Sequence, residues 1–575
     1  MIKAEINGIK VEVEEGTSIL EAAKGINIHL PTLCNMYMVD GETRNCKGTC
    51  RVCVVELKGK KGLVPSCATE IKEGMSIRTN SLKAVRARRT ITELLLSNHP
   101  KDCLNCEKNN NCELQSLAAE LGIDEKRFEG ERSSFDIDIC DGFIRDREKC
   151  ILCRRCVTAC NDIQKVHAIT VADRGFNTNI STFFNEEIST TNCTYCGQCV
   201  AVCPTGALKE NSNYREIWSL LDDERKFTVV QIAPAVRSAL AEEFGFEPGY
   251  LSTGKIVAAL KLLGFKLVCD TNFAADLTIM EEANEFIERF TLGEKLPLIT
   301  SCCPAWVKYA ENNYYDKMEL ISTCKSPQQM FGALAKNYLP KELGVKREDI
   351  AVVSIMPCIS KKYECNREEM KDDLGIKDVD LVITTREFAK LIREAGIDIL
   401  RLNDSEFDNP LGMSSGAGTI FGTSGGVMEA ALRTSYEWIT GKKLDKIDFE
   451  SVRGLEGIKE SSIDLNGKTV NIAVVSSLGN AKRIMDEIER GESKYDFIEV
   501  MACPGGCIDG GGQPYIRSNR DILNKRMEAI YKEDSNKEIR KSHDNPMIIK
   551  VYEDYLMSPG SHIASKILHV IYKKY

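Results

Sequence analysis

Nothing in the 575-residue chain approaches the roughly 18–20 consecutive apolar side chains that a bilayer-spanning helix needs, so no membrane span is expected. The opening MIKAEINGIKVEVEEGTS alternates as strands do and lacks the basic-then-apolar layout of a secretion signal, which leaves a cytoplasmic location as the default. Long basic blocks are also missing and the net charge is −9, which argues against nucleic acid as a partner. Cysteine, by contrast, is abundant: 25 residues, 17 before residue 204 and eight after. In a large chain of a reducing compartment, clustered CxxC spacings read as metal ligands rather than disulfides. At this length several domains are expected, because single cores rarely grow beyond roughly 250–300 residues.

Residues 1–79 open with a hairpin signal, Asn7-Gly8 between alternating runs. A short helix (19–24) and a strand (54–58) follow. Cys34, Cys50-x2-Cys53 and Cys67 resemble the plant-type ferredoxin pattern, four thiolates for a 2Fe–2S cluster; a zinc ribbon is the alternative. Cys46 also lies in this loop, but the strand directly after Cys53 favours the Cys50/Cys53 pair, and Cys46 is read as a free thiol. In residues 80–125 a helix (84–99) delivers His99-x3-Cys103-x2-Cys106-x5-Cys112. Three cysteines and a histidine suit zinc as readily as iron–sulfur, and the position between two ferredoxin-like segments favours a 4Fe–4S cluster with one imidazole ligand. Residues 126–210 carry a near-repeat, Cys150-x2-Cys153-x2-Cys156-x3-Cys160 and Cys193-x2-Cys196-x2-Cys199-x3-Cys203, with Pro204 closing only the second. The fourth cysteine of each such run serves the other cluster. One 4Fe–4S cluster should therefore take Cys150, Cys153, Cys156 and Cys203, the other Cys193, Cys196, Cys199 and Cys160.

Residues 211–575 change to an α/β pattern. Apolar runs (FTVVQIAP, KLVCDTNF, LPLITS, IAVVSIM, VDLVITT, VNIAVVSS, FIEV) alternate with amphipathic stretches, which predicts parallel strands under covering helices in two lobes. The fold class is thus multidomain, α+β and α/β: ferredoxin-like modules followed by a two-lobed domain with parallel sheets. From about residue 515 the chain becomes richer in charge and reads as a wrapping extension with no legible chemistry. Three strand-like runs end in cysteine: LPLITSCC (296–303), AVVSIMPC (351–358) and FIEVMAC (497–503), the last continuing as PGGCIDGGGQP. Parallel sheets place their sites beyond the carboxyl ends of strands, so these cysteines can converge. Glycine lets the backbone approach closely, and several thiolates together suit a soft metal.

TSCCPAW (300–306), MPCISKK (356–362) and MACPGGCIDGGGQP (501–514) are together similar to the three signature motifs of the iron-iron (FeFe) hydrogenases, and the upstream cluster order matches their long clostridial form. The resemblance spans essentially the whole chain. It implies reversible hydrogen oxidation and proton reduction, with ferredoxin or a similar carrier exchanging electrons through one 2Fe–2S and three accessory 4Fe–4S clusters. It also implies an H-cluster: a 4Fe–4S cluster on Cys303, Cys358, Cys503 and Cys507, with Cys507 bridging to a two-iron unit that bears CO, cyanide and azadithiolate and is made by maturation proteins. Lys361 would meet a cyanide by a charge-assisted hydrogen bond, and Ala233, Pro234, Ser301, Met356 and Met501 fall around the cofactor. Taken alone, Glu282, Glu285 and Arg289 at i, i+3 and i+7 read as a solvated helix face. The resemblance makes them, with Ser322, a proton path from solvent through Arg289, Glu285, Ser322 and Glu282 to Cys302.

Two positions depart from the family: Ala235 stands where a serine is common, and Cys324 replaces the small residue before Lys325. Cys324 is either a small apolar filler or a thiolate that caps the open iron site against oxygen. Cys140, Cys269 and Cys365 have no partner at ligand spacing and are read as free thiols. Two other readings compete. One is a sensor or iron–sulfur assembly protein on the same scaffold. The other is an electron-transfer subunit like the large iron–sulfur subunit of respiratory complex I, which would not need Cys302, Cys303, Cys358, Cys503 and Cys507.

Overall fold

The computed structural model describes residues 1–36, 48–125, 127–444 and 446–573; Cys46 lies outside them. The N-terminal residues form a five-stranded sheet in the order Ile9–Val13, Ile2–Ile6, Ser76–Arg78, Val54–Leu57, Leu63–Pro65. Asn7 and Gly8 both take positive φ, 50° and 87°, as a tight two-residue hairpin turn demands. The helix Ile19–Gly25 opens on a reciprocal cap, Ser18 accepting from the Glu21 amide and Glu21 accepting from the Ser18 amide. Helices Leu82–Asn98 and Glu113–Glu120 then flank the loop that carries His99 and its three cysteines.

The near-repeat is visible in the backbone. Leu152 and Arg154 in the first run, and Tyr195 and Gly197 in the second, occupy equivalent positions between cysteines and all have positive φ. Left-handed residues at these steps curl each loop so that its cysteines face a common centre. A one-turn helix follows each loop, Arg155–Thr158 and Gln198–Ala201.

From residue 227 the chain builds two four-stranded sheets. The first is wholly parallel, in the order Leu267–Asp270, Phe227–Ile232, Ile350–Met356, Leu381–Thr384. The second runs Leu298–Ile299, Phe497–Met501, Lys468–Ser476, Ile458–Leu465, with the first three parallel. Its edge strand Ile458–Leu465 is antiparallel, an exception to the expected parallel pattern. It is made by a second Asn-Gly turn, Asn466 (φ 54°) and Gly467 (φ 84°).

The 22-residue helix Thr271–Leu292 stitches the two lobes. Phe273, Leu277 and Met280 on one side enter the core of the first lobe, and Ala275, Ile279 and Phe286 on the other enter the core of the second. The C-terminal segment is more than a wrap: Ile548, Val551, Leu556, Ala564 and Leu568 belong to the first lobe's core. Its Arg526 is fully buried, bonded to Glu242 and to the carbonyls of Ile508 and Pro514. No helix among the described residues is long and apolar enough to cross a membrane.

Candidate active site and its electron and proton connections

Strands from both sheets point their carboxyl ends at one cavity between the lobes. Ile232 leads into Ala233, Pro234 and Ala235, Ile299 into Cys302 and Cys303, Met356 into Cys358, and Met501 into Cys503 and Cys507; all these residues except the two isoleucines line the cavity. Pro327, Gln328 and Phe421 complete much of a largely apolar wall in which Lys361 is the one charged lining residue described. Gly506 adopts φ +90°, and a side chain there would strike the Ser424 amide at 2.5 Å, so only glycine lets the loop pack this closely.

Burial pushes the thiols of this wall upward, Cys507 to about 12 and Cys303, Cys358 and Cys503 also above the usual range. Four thiols in an apolar cavity are costly as anions unless a metal takes the protons' place. Cys303 Sγ already accepts the Ala502 amide at 3.4 Å, a bond suited to a cluster-bound sulfur. The donor set therefore suits an iron–sulfur cluster, with room beside it along Cys302, Pro234, Met356 and Phe421.

Lys361 donates to Glu364 at 3.1 Å and to the Cys302 carbonyl at 3.1 Å. Burial disfavours its charge, but Glu364 together with Cys358 and Cys302 outweighs burial and its pKa ends above that of an ordinary lysine. Behind Cys302 the long helix presents two unlike glutamates. Glu282 is buried, neither carboxylate oxygen has a hydrogen-bond partner, and burial followed by the nearby Glu285 charge raises its pKa to about 8. Glu285 instead accepts from Arg289 at 2.6 Å and from the Ser322 hydroxyl at 2.8 Å. Cys302 itself is pushed well up, first by burial and next by Glu282. Arg289, Glu285 and Ser322 are thus joined by hydrogen bonds, whereas the Glu282 carboxylate makes none and meets Glu285 and Cys302 through charge alone.

Two of the candidate residues sit elsewhere. Ser301 does not line the cavity; its hydroxyl donates to the Cys324 carbonyl at 2.6 Å. Cys324 is also absent from the wall. It is fully buried in the first lobe's core, with its sulfur 3.9 Å from Glu285 Oε2, and so lies off the cavity wall that a capping thiolate would have to reach. Cys140, Cys269 and Cys365 form no disulfide. Gln328 and Glu364 were missed. Glu364 carried a signal, three residues after Lys361 on a helical turn; Gln328 carried none.

Three of the accessory ligand sets also assemble. Cys34, Cys50, Cys53 and Cys67 are buried and their sulfurs touch one another, while the Gly48 amide reaches Cys67 Sγ at 3.2 Å. One cavity is lined by Cys150, Cys153, Cys156 and Cys203, a second by Cys193, Cys196, Cys199 and Cys160. The second abuts the active-site motif: the backbones of Gly197 and Gly511 meet so closely that a side chain on Gly511 would come within 2.8 Å. Gln198 and Gln164 tie the same module to the carbonyls of Asp509 and Ala502. The first cavity receives both N-terminal modules. Leu33, Cys34 and Cys50 pack with Ile151 and Cys153. Cys106 abuts Gly206, and Arg155 pairs with Glu113 at 2.7 Å. Cys103 is exposed at the outer edge.

Residues 226–511 match the family described as iron only hydrogenase large subunit, C-terminal domain, and 520–575 match iron hydrogenase small subunit. Residues 1–81 match a 2Fe-2S cluster binding domain, 88–127 the NADH-ubiquinone oxidoreductase-G iron-sulfur binding region, and 149–207 a 4Fe-4S dicluster domain. The chain is 50% identical over 583 residues to the NADP-reducing hydrogenase subunit HndD of Solidesulfovibrio fructosivorans, covering 100% of this chain and 99% of that protein. It is 39% identical over 582 residues to iron hydrogenase 1 of Clostridium pasteurianum, covering 99% of each. Among solved structures, the apo FeFe hydrogenase of Chlamydomonas reinhardtii aligns with TM-score 0.57 and 41% identity over 62% of this chain and 98% of that one.

Proposed function

The chain belongs to the FeFe hydrogenase family, and from that premise we propose how its residues divide the work of interconverting hydrogen with protons and electrons. The carrying observation is the single cavity that gathers four cysteines from three strand ends, with Cys302 on its wall and Glu282 behind it. Cys303, Cys358, Cys503 and Cys507 would hold the H-cluster, with Met356, Met501, Ala233 and Pro234 as its apolar wall. When bound, that group supplies the two-electron chemistry of hydrogen. Lys361, pinned by Glu364, holds a fixed positive charge at the rim. Cys302 delivers and removes protons at the wall, Glu282 stores one next to it, and Ser322, Glu285 and Arg289 connect Glu282 to solvent.

Electrons pass through one 2Fe–2S cluster (Cys34, Cys50, Cys53, Cys67) and three accessory 4Fe–4S clusters, the outermost held by His99, Cys103, Cys106 and Cys112. The units are residues 1–79, 80–125, 126–210 and 211–575, a division the family matches support. We assign the chain to the cytoplasm, with ferredoxin as its carrier and separate proteins that mature the diiron unit. A second reading has a specific observation behind it: the half-identical relative is named as a subunit of an NADP-reducing hydrogenase, so the N-terminal clusters would hand electrons to a nicotinamide-binding partner. Purified, matured chain supplied with reduced ferredoxin decides between them. Hydrogen evolution by the chain alone supports ferredoxin; activity that appears only when a nicotinamide-binding subunit is added supports the second reading.

A further inference from the structure

We propose that Glu285, Cys324 and His569 form a binding site for a thiophilic divalent cation, zinc(II) by its donor chemistry, whose occupation arrests proton delivery to Cys302. The second half rests on the relay proposed above; the site itself does not. One ligand atom from each of the three residues lies within 4.8 Å of the other two. Sulfur, imidazole and carboxylate at that separation are the ligands of tetrahedral zinc. A thiol and an imidazole together disfavour magnesium and calcium, which take oxygen.

The three ligands come from distant parts of the chain, yet backbone pairing fixes them. Glu285 lies on the helix Thr271–Leu292, Cys324 precedes the helix Pro327–Asn337, and His569 ends the helix His562–Leu568. Cys324 and His569 form a β-bridge, flanked by Lys325 N–H to Leu568 carbonyl and Val570 N–H to Thr323 carbonyl, both 2.8 Å. The site is therefore a product of the C-terminal segment closing on the relay.

Charge favours a cation here. Glu281, Glu282 and Glu285 all face the Cys324 thiol, which burial and then these carboxylates push far above the ordinary thiol range. Glu281 and Glu282 are buried, and Arg289, bonded to Glu285, is the one permanent cation hydrogen-bonded to the three among the described residues. Glu281 is held by neutral donors, the Tyr552 hydroxyl at 2.5 Å and the Gly560 amide at 2.9 Å, together with His569 Nε2 at 3.0 Å. His569 Nδ1 faces the Thr323 hydroxyl at 2.7 Å. A cation bound by the His569 imidazole and the Cys324 sulfur displaces the thiol proton, which leaves to solvent. The side chains of Glu285 and His569 keep 12% and 16% exposure, enough to open an entry from solvent. A metal on Glu285 occupies the carboxylate that joins Arg289 to Ser322, so proton passage stops there.

The test uses anaerobic, fully matured enzyme with a viologen electron donor, zinc sulfate added at micromolar levels, and Cys324→Ala, Cys324→Ser and His569→Gln variants. Zinc should suppress hydrogen evolution at least about tenfold, chelator should restore it, and each variant should need about tenfold or more additional zinc for the same effect. Zinc K-edge absorption should show one sulfur ligand that disappears in both Cys324 variants. A zinc spectrum without sulfur, or one unchanged by Cys324→Ser, overturns the site. Zinc bound through Cys324 with turnover intact keeps the site and overturns its inhibitory role, and with it the relay through Glu285.

Discussion

In the first 210 residues most cysteines of each set lie close together in sequence on loops curled by left-handed residues, such as Leu152 and Arg154 or Tyr195 and Gly197, with Cys160 and Cys203 each lent to the other run's set. In the second half Cys303, Cys358 and Cys503 arrive from the ends of three strands in two different sheets. The first arrangement is local: the motif is nearly the site. The second exists only when both lobes close on the helix Thr271–Leu292, whose opposite faces enter the two cores. Damage to an accessory motif should therefore stay confined to one electron-transfer step. Damage around the cavity should stop the chemistry or loosen the lobes.

The largest expected effect is at Cys302. Cys302→Ser should lower turnover by about 10²–10⁴, the usual worth of a proton-transferring group, while iron content and cluster spectra stay as in the parent. Activity close to the parent's would remove Cys302 from the relay. Next comes Glu282, whose pKa is raised to about 8 from the ordinary 4.5. Between those values the folded chain holds a proton that the unfolded chain releases, so this group's contribution to stability falls as pH rises and the fall ends above about 8. Glu282→Gln removes that dependence. Melting temperatures of the pair should converge at low pH and diverge, to the parent's disadvantage, up to about pH 8, a difference on the order of a few kcal/mol. Parallel curves would mean that Glu282 does not titrate there.

A smaller effect is expected where the two halves meet. Gly511→Ala drives a methyl group into the Gly197 backbone and should cost about 1–3 kcal/mol by overpacking, read as a lower melting temperature with slower ferredoxin-driven turnover. Unchanged values for both would show that the contact is slack. The smallest is His99→Cys, which exchanges a neutral ligand for a thiolate. It should lower the potential of that one cluster without changing viologen-driven hydrogen evolution; a change in the active-site spectra would contradict the local character of the first half.

The same contrast governs what could be read from the chain. Buried parallel strands are continuous apolar runs, and all seven runs noted in the sequence became strands. The strand Ile458–Leu465 escaped because IKESSIDL is a half-exposed edge with an ordinary polar alternation, although Asn466-Gly467 repeats the turn signal used at Asn7-Gly8. Ligand cysteines were legible where chemistry fixes their spacing. The placement of Ser301 away from the cavity, and the meeting of Glu285, Cys324 and His569, were not, because they depend on which way a loop turns and on a tail segment far away in the chain. The charged look of that tail hid apolar residues at Ile548, Val551 and Leu568 that complete the first lobe's core.

The most direct test of the central claim is an infrared spectrum of anaerobic, fully matured protein in the window of metal-bound CO and cyanide, where polypeptide contributes almost no absorption. The account predicts bands that shift when hydrogen is admitted. A blank window, with the accessory clusters present and the same maturation system active on a control hydrogenase, would contradict it.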